Sequence, residues 1–167
     1  EDGWGNFKPE ETYKKKPGNW RDFNNPQTLA NLISFAERMY GERIGHITLA
    51  SFSGGNLGTK KSLRALEKVK DKDPEMASLY SRIQQIAYFD SATGSGAPYV
   101  ARWLKSHPEA KLWSAFNYGS ELYQNGNNVL IDALEKQGVD SRYHWEKMKW
   151  NEGHGIYEDY FKRFTAP

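Results

Sequence analysis

The sequence predicts an α/β fold: a parallel sheet of about four strands flanked by helices, in one domain of 167 residues. Three observations lead there. Short apolar runs alternate with segments whose apolar residues recur at helical spacing, which is the pattern of βαβ units. The chain is long enough for a single core. At 38% hydrophobic and 26% charged residues it has the balance of a globular protein rather than a disordered one.

Residues 1–25, "EDGWGNFKPEETYKKKPGNWRDFNN", show neither helical nor strand periodicity and are rich in Gly, Pro and Asn. They are expected to form a long loop preceding a core over 26–167. Asn25 and Pro26 supply a helix cap and a first helical residue. Leu29, Leu32, Ile33, Ala36 and Met39 then repeat at helical spacing until Gly41 stops the helix. The run from Ile44 to Ala50 suits a strand buried on both faces. A helix over roughly 56–71 follows, with Leu63, Leu66 and Val69 on one side.

"QQIAYFD", 84–90, is the second strand expected, and Pro98 opens the next helix, which carries Tyr99, Val100, Trp103 and Leu104. "KLWSAFN", 111–117, is the third, followed by an expected loop "YGSELYQNGN" and a helix with Val129, Leu130, Ala133 and Leu134. "SRYHWEKM", 141–148, alternates as an edge strand should. After "KWNEGHG", a last helix is expected to carry Ile156, Tyr157, Tyr160, Phe161 and Phe164.

Composition removes several function classes. Without cysteine there is no disulfide, thiol nucleophile or thiolate metal site. The four histidines show no metal-ligand spacing such as His-Glu-x-x-His, so neither a metal nor another cofactor is expected. His46 and His144 are expected to be structural residues within strands, and His107 a cap at a helix C-terminus. A net charge of +2 with dispersed lysines and arginines argues against nucleic-acid binding. No apolar run is long enough to span a membrane.

In parallel α/β sheets reacting groups collect at the carboxyl ends of the strands. Ser53 follows the first strand, Asp90 ends the second, and His154 lies in the loop after the fourth. A serine hydroxyl becomes a nucleophile when a histidine takes its proton, and a carboxylate fixes that histidine's tautomer. The order serine, acid, histidine is one of those in which this chemistry occurs.

"SFSGG", 51–55, resembles the Gly-x-Ser-x-Gly nucleophile elbow of the α/β-hydrolase family, with Ser51 in place of the first glycine, and "EGHG" resembles that family's histidine loop. A strand turning sharply into a helix strains its serine and requires small residues two before and two after it. The resemblance implies a serine hydrolase acting on a carboxylic ester or an amide: Ser53 as nucleophile, His154 as base, and the Gly54 N–H as an oxyanion donor. The acid is Asp90, as in the lipase-like minority of the family. The alternative is Glu121, which stands one residue before the usual acid position in "GSEL".

The resemblance covers the later half of that family's fold, so the earlier strands are expected to be absent from this chain. The first strand would then be an open edge, for which a partner segment or self-association is expected. Two other readings compete with the hydrolase. One is a phosphate loop, from which "SGGNLGTK" departs by placing Thr59 and Lys61 where Gly and Ser/Thr belong. The other is an inactive hydrolase-derived binding domain, whose aromatic Trp4, Phe7, Tyr13 and Trp20 recognise a partner or a sugar.

Overall fold

The computed structural model describes residues 20–148 except positions 92 and 118. A short 3-10 helix, Trp20–Asn24, replaces the end of the expected loop and leads into helix α1, Pro26–Tyr40. The start and stop of α1 follow the sequence signals. The Asn25 side chain accepts from the Gln27 N–H at 3.0 Å, and Gly41 closes the helix at φ 74°, a left-handed conformation that glycine adopts without steric cost.

Strand β1, Ile47–Phe52, lies about three residues later than expected and is open on one face: Thr48, Ala50 and Phe52 are exposed while Ile47 and Ser51 are buried. The reason is its place in the sheet. Four strands lie side by side in chain order, all parallel, so β1 is an edge strand among the described residues and pairs only with β2. His46 falls before β1 rather than within it, and is exposed.

A 3-10 turn, Ser53–Gly55, joins β1 to helix α2, Asn56–Val69. Helix α3, Pro74–Arg82, is an element the sequence reading missed. It is short, but well signalled: the Asp73 carboxylate caps the N–H groups of Glu75 and Met76 at 2.9 and 3.2 Å, and Pro74 holds the first position. Strand β2, Ile83–Phe89, is buried throughout its second half. Another 3-10 turn, Gly94–Gly96, enters helix α4, Ala97–Ser106.

Strand β3 runs Lys111–Asn117, as expected. The segment expected as a loop after it is largely helical: α5 spans Glu121–Glu135, beginning two turns before its apolar residues become periodic. Ser120 takes the extended cap conformation, and its carbonyl accepts from the N–H groups of Tyr123 and Gln124, both at 3.1 Å. Strand β4, Tyr143–Met148, follows a 3-10 turn at Asp140–Arg142 and forms the far edge among the described residues.

When strands follow one another in chain order with right-handed crossovers, their connecting helices fall on one face of the sheet. The core agrees. Ile86 and Tyr88 of β2 and Leu112 of β3 pack in one cluster with Leu63 and Leu66 of α2, Val100 and Leu104 of α4, and Leu130 of α5. Each such buried aliphatic side chain contributes about 1.5–3 kcal/mol relative to exposure. On the opposite face Ala87, Phe89, Trp113 and Ala115 are buried outside that cluster, with Phe89 and Trp113 edge to face at 5.4 Å. The helix expected at 156–164, and Trp4, Phe7 and Tyr13, lie outside the described residues.

His107 does cap α4, and does more. Its ring nitrogens lie 2.8 Å from the Trp103 carbonyl and 3.0 Å from the Tyr80 carbonyl, tying α4 to α3. Arg142 donates to the Leu104, His107 and Pro108 carbonyls around the same helix end. His144 is in β4, exposed, its ring parallel to Trp113 of β3.

Candidate active site

The junction between β1 and α2 is sterically tight. Ser53 has φ 48°, in the left-handed region that a residue with a β-carbon enters at a cost of about 1–2 kcal/mol. This turn brings residues 51 and 55 together: a β-carbon added to Gly55 would lie 3.3 Å from the Ser51 Cβ. Two larger residues could not face each other there. Ser51 is buried, and its hydroxyl has no hydrogen-bond partner among the described residues, so smallness, not polarity, is what the turn uses. Ser53 itself is half-buried and Gly54 exposed.

Asp90 repeats this strain on the next strand. It has φ 47°, and the only other described non-glycine residue with positive φ is Ser53. Strand register makes the coincidence spatial. Phe52 pairs with Phe89, so Ser53 and Asp90 are the next residues on adjacent parallel strands, whose backbones run about 4.8 Å apart. Asp90 is buried, 5% exposed, and its N–H donates to the Ala115 carbonyl at 2.7 Å, extending the sheet one residue past the last β2–β3 pair. Strained backbone of this kind persists where the surrounding structure over-determines it, and it collects at functional sites.

Tyr123 is the residue that sequence reasoning missed. On the first turn of α5, its phenol is acted on by the Asp90 carboxylate and by the Ser53 side chain. Its phenol is pushed above its ordinary value of 10.0, by burial first and by the Asp90 charge second, with the Ser53 contact acting the other way. Tyr123 therefore keeps its proton at neutral pH and is available as a donor. Its only signal in sequence is an aromatic hydroxyl following Ser120 and Glu121, a helix start hidden by the glycine and asparagines of "QNGNN".

The loop after β2 and helix α5 are fastened together behind the site. The Thr93 hydroxyl donates to the Gly126 carbonyl at 3.0 Å, one turn beyond Tyr123, and the Ser91 hydroxyl to the Phe89 carbonyl at 3.1 Å. Tyr143 of β4 donates to the Asn127 side chain. The Thr93 and Ser91 bonds are buried, which strengthens them electrostatically. A separate groove of about 310 Å³ runs between α4 and α5, lined by Ala97, Ala101, Val129 and Ala133 among others, and neither Ser53, Asp90 nor Tyr123 lines it.

Of the residues singled out from sequence, the structure thus places Ser53, Gly54 and Asp90 at neighbouring strand ends. Glu121 is exposed on the first turn of α5, not in a loop. His154 lies outside the described residues. Among those described, no three His, Asp or Glu side chains are grouped to hold a metal ion, and no helix is long and apolar enough to cross a membrane. No family model matches the chain, and no curated protein or solved structure matches it.

Proposed function

We propose that this chain is a serine hydrolase of the α/β-hydrolase type that cleaves a carboxylic ester or an amide through an acyl-enzyme. The observation that carries the reading is the left-handed Ser53 between a parallel strand and a helix, with Ser51 and Gly55 in near contact beneath it. A serine presented on such a turn stands clear of its own strand and helix, open to a substrate carbonyl.

In this mechanism the Ser53 Oγ attacks the carbonyl carbon while His154 takes the hydroxyl proton. The tetrahedral oxyanion is held by the Gly54 N–H, the first amide after the nucleophile. His154 returns the proton to the leaving alcohol or amine. Water then attacks the acyl-enzyme with His154 again as base, releasing the acid and restoring Ser53. Asp90 orients His154; its burial beside Ser53 supports it over the exposed Glu121. The open edge of β1 supports a partner segment or a second copy pairing along that strand.

A fluorophosphonate probe tests the reading, with intact mass before and after and the adduct mapped. One adduct on Ser53, absent in Ser53→Ala and strongly reduced in His154→Ala, is the expected result. A folded wild-type protein that takes no adduct would sink the hydrolase and leave the inactive binding domain as the reading to pursue.

A further inference from the structure

We infer that the segment 149–167 returns across the second face of the sheet and docks there through Ile156, Tyr157, Tyr160, Phe161 and Phe164, covering the strip formed by Ala87, Phe89, Trp113 and Ala115. The docking stands apart from the hydrolase reading; the place it gives His154 deepens that reading and rests on it.

That strip is apolar, central and dry. Ala87 and Ala115 are 0% exposed, Phe89 4% and Trp113 5%, yet none of the four belongs to the cluster that holds every described α-helix. An aromatic side chain standing on the pleat of a sheet keeps its outer surface in water unless a second layer packs on it about 10 Å away. Ring contacts within the face do not supply that layer. Phe89 and Trp113 meet edge to face, and His144 stacks on Trp113 from the neighbouring strand while itself exposed.

Length, direction and pattern name the occupant. Strand β4 ends at Met148, beside the strand of Trp113 and Ala115 and at the same end of the sheet as Ser53 and Asp90, with residues 149–167 still to follow. Extended, residues 149–155 reach about 25 Å, more than the roughly 14 Å across four strands. At about 100° per residue, Ile156, Tyr157, Tyr160, Phe161 and Phe164 fall within an arc of about 140°, and Glu158, Asp159, Lys162 and Arg163 fill the remainder. A helix of this pattern buries one side and wets the other, and over 156–164 it measures about 12 Å, enough to cover β2 and β3. Residues 1–19 have no such period, and they join the described chain through the 3-10 helix Trp20–Asn24, which packs on α2 at the helical side of the sheet. Because β4 delivers the chain at the carboxyl end of the sheet, His154, two residues before Ile156, stays at that end, and the docked stripe holds its loop where Ser53 and Asp90 lie.

The chain has no cysteine, so a nitroxide attached at Lys162→Cys, on the polar side of the stripe, is a single label on the otherwise intact full chain. Amide signals of β2 and β3 should broaden more than those of α2 and α4, because the helices lie on the far side of the sheet. In Tyr160→Ser/Phe161→Ser, hydroxyl radicals should modify Trp113 severalfold faster than in wild type, while Trp103 of the helical-side core stays protected. If that variant does not fold, the nitroxide measurement, made on an intact stripe, decides. Equal broadening on the two sides, or none, overturns the docking. So does broadening that survives with label and isotope on different molecules, which gives the face to a second copy. Broadening of β2 and β3 only from Lys15→Cys overturns it too, and gives the face to residues 1–19. A docked stripe in a protein whose Ser53 takes no fluorophosphonate upholds the docking and removes the hydrolase; a Ser53 adduct without docking does the reverse.

Discussion

Ser53 and Asp90 each hold a backbone conformation that glycine would adopt freely, and each is a residue with a reactive side chain. For Ser53 the strain can be measured directly. Ser53→Gly relieves it and Ser53→Ala retains it, so the glycine variant should be the more stable by about 1 kcal/mol in chemical denaturation, although glycine gains more freedom when unfolded. Equal stabilities would mean that the turn is not strained. The acid separates in the same way. On the proposed hydrolase reading, Asp90→Asn preserves shape and tolerance of positive φ but would not hold the histidine tautomer, and should reduce ester turnover by roughly three to four orders of magnitude. Glu121→Gln, on an exposed helical turn, should remain within a few-fold of wild type. The reverse outcome would move the acid to Glu121.

At the scale of elements, the connections between helices depend on a few charged side chains. Glu37 at the end of α1 accepts from Arg82 at the end of α3 at 2.6 Å and from the Ile44 N–H at 3.1 Å, while Arg82 also donates to the Ile44 carbonyl at 2.8 Å. The segment leading into β1 is clamped between two helices in this way. The Glu37 carboxyl is held below its ordinary value of 4.5, chiefly by the Arg82 hydrogen bond and against the effect of burial. A depressed carboxylate contributes stability above its unfolded value, and loses it as pH falls through the folded one. Glu37→Gln should therefore melt below wild type at neutral pH, and the gap should close as pH drops below 4.5. A gap that persists unchanged in acid would show that the loss is one of shape rather than charge.

For the molecule as a whole, one cluster joins every described α-helix to one face of the sheet, so disturbance at its centre should spread to the site. Leu66 is fully buried there, on α2, the helix that follows the Ser53 turn. Leu66→Ala should cost about 2–5 kcal/mol and unfold in a single transition. If instead α2 alone loosens, seen as amide exchange confined to 56–69, the domain is less cooperative than its shared core implies. The same architecture explains why the candidate site lies where it does. Parallel strands of similar length end together, and helices returning behind them leave the carboxyl ends of β1 and β2 as the place where loops from several elements meet.

Much of this was legible in the residues. The βαβ alternation, the Asn25–Pro26 start, the Gly41 stop and strand β3 follow from local chemistry, because periodicity, capping and turn conformations are properties of a few neighbouring residues. The tight turn at Ser53 was legible for the same reason: small residues two before and two after a serine have a local steric cause. Helix α3 was present in the Asp73–Pro74 signal and was overlooked because nine residues scarcely establish a period. The start of α5 was obscured because Gly126 and its neighbouring asparagines are weak helix formers whose place is secured by the Thr93 and Tyr143 bonds. Only the tertiary structure decided which face of β1 is open, that Ser53 and Asp90 end adjacent strands in register, and that Thr93 binds the Gly126 carbonyl 33 residues further on. Strand order and register arise from packing across the sheet, and no local pattern encodes a contact between groups that far apart in the chain.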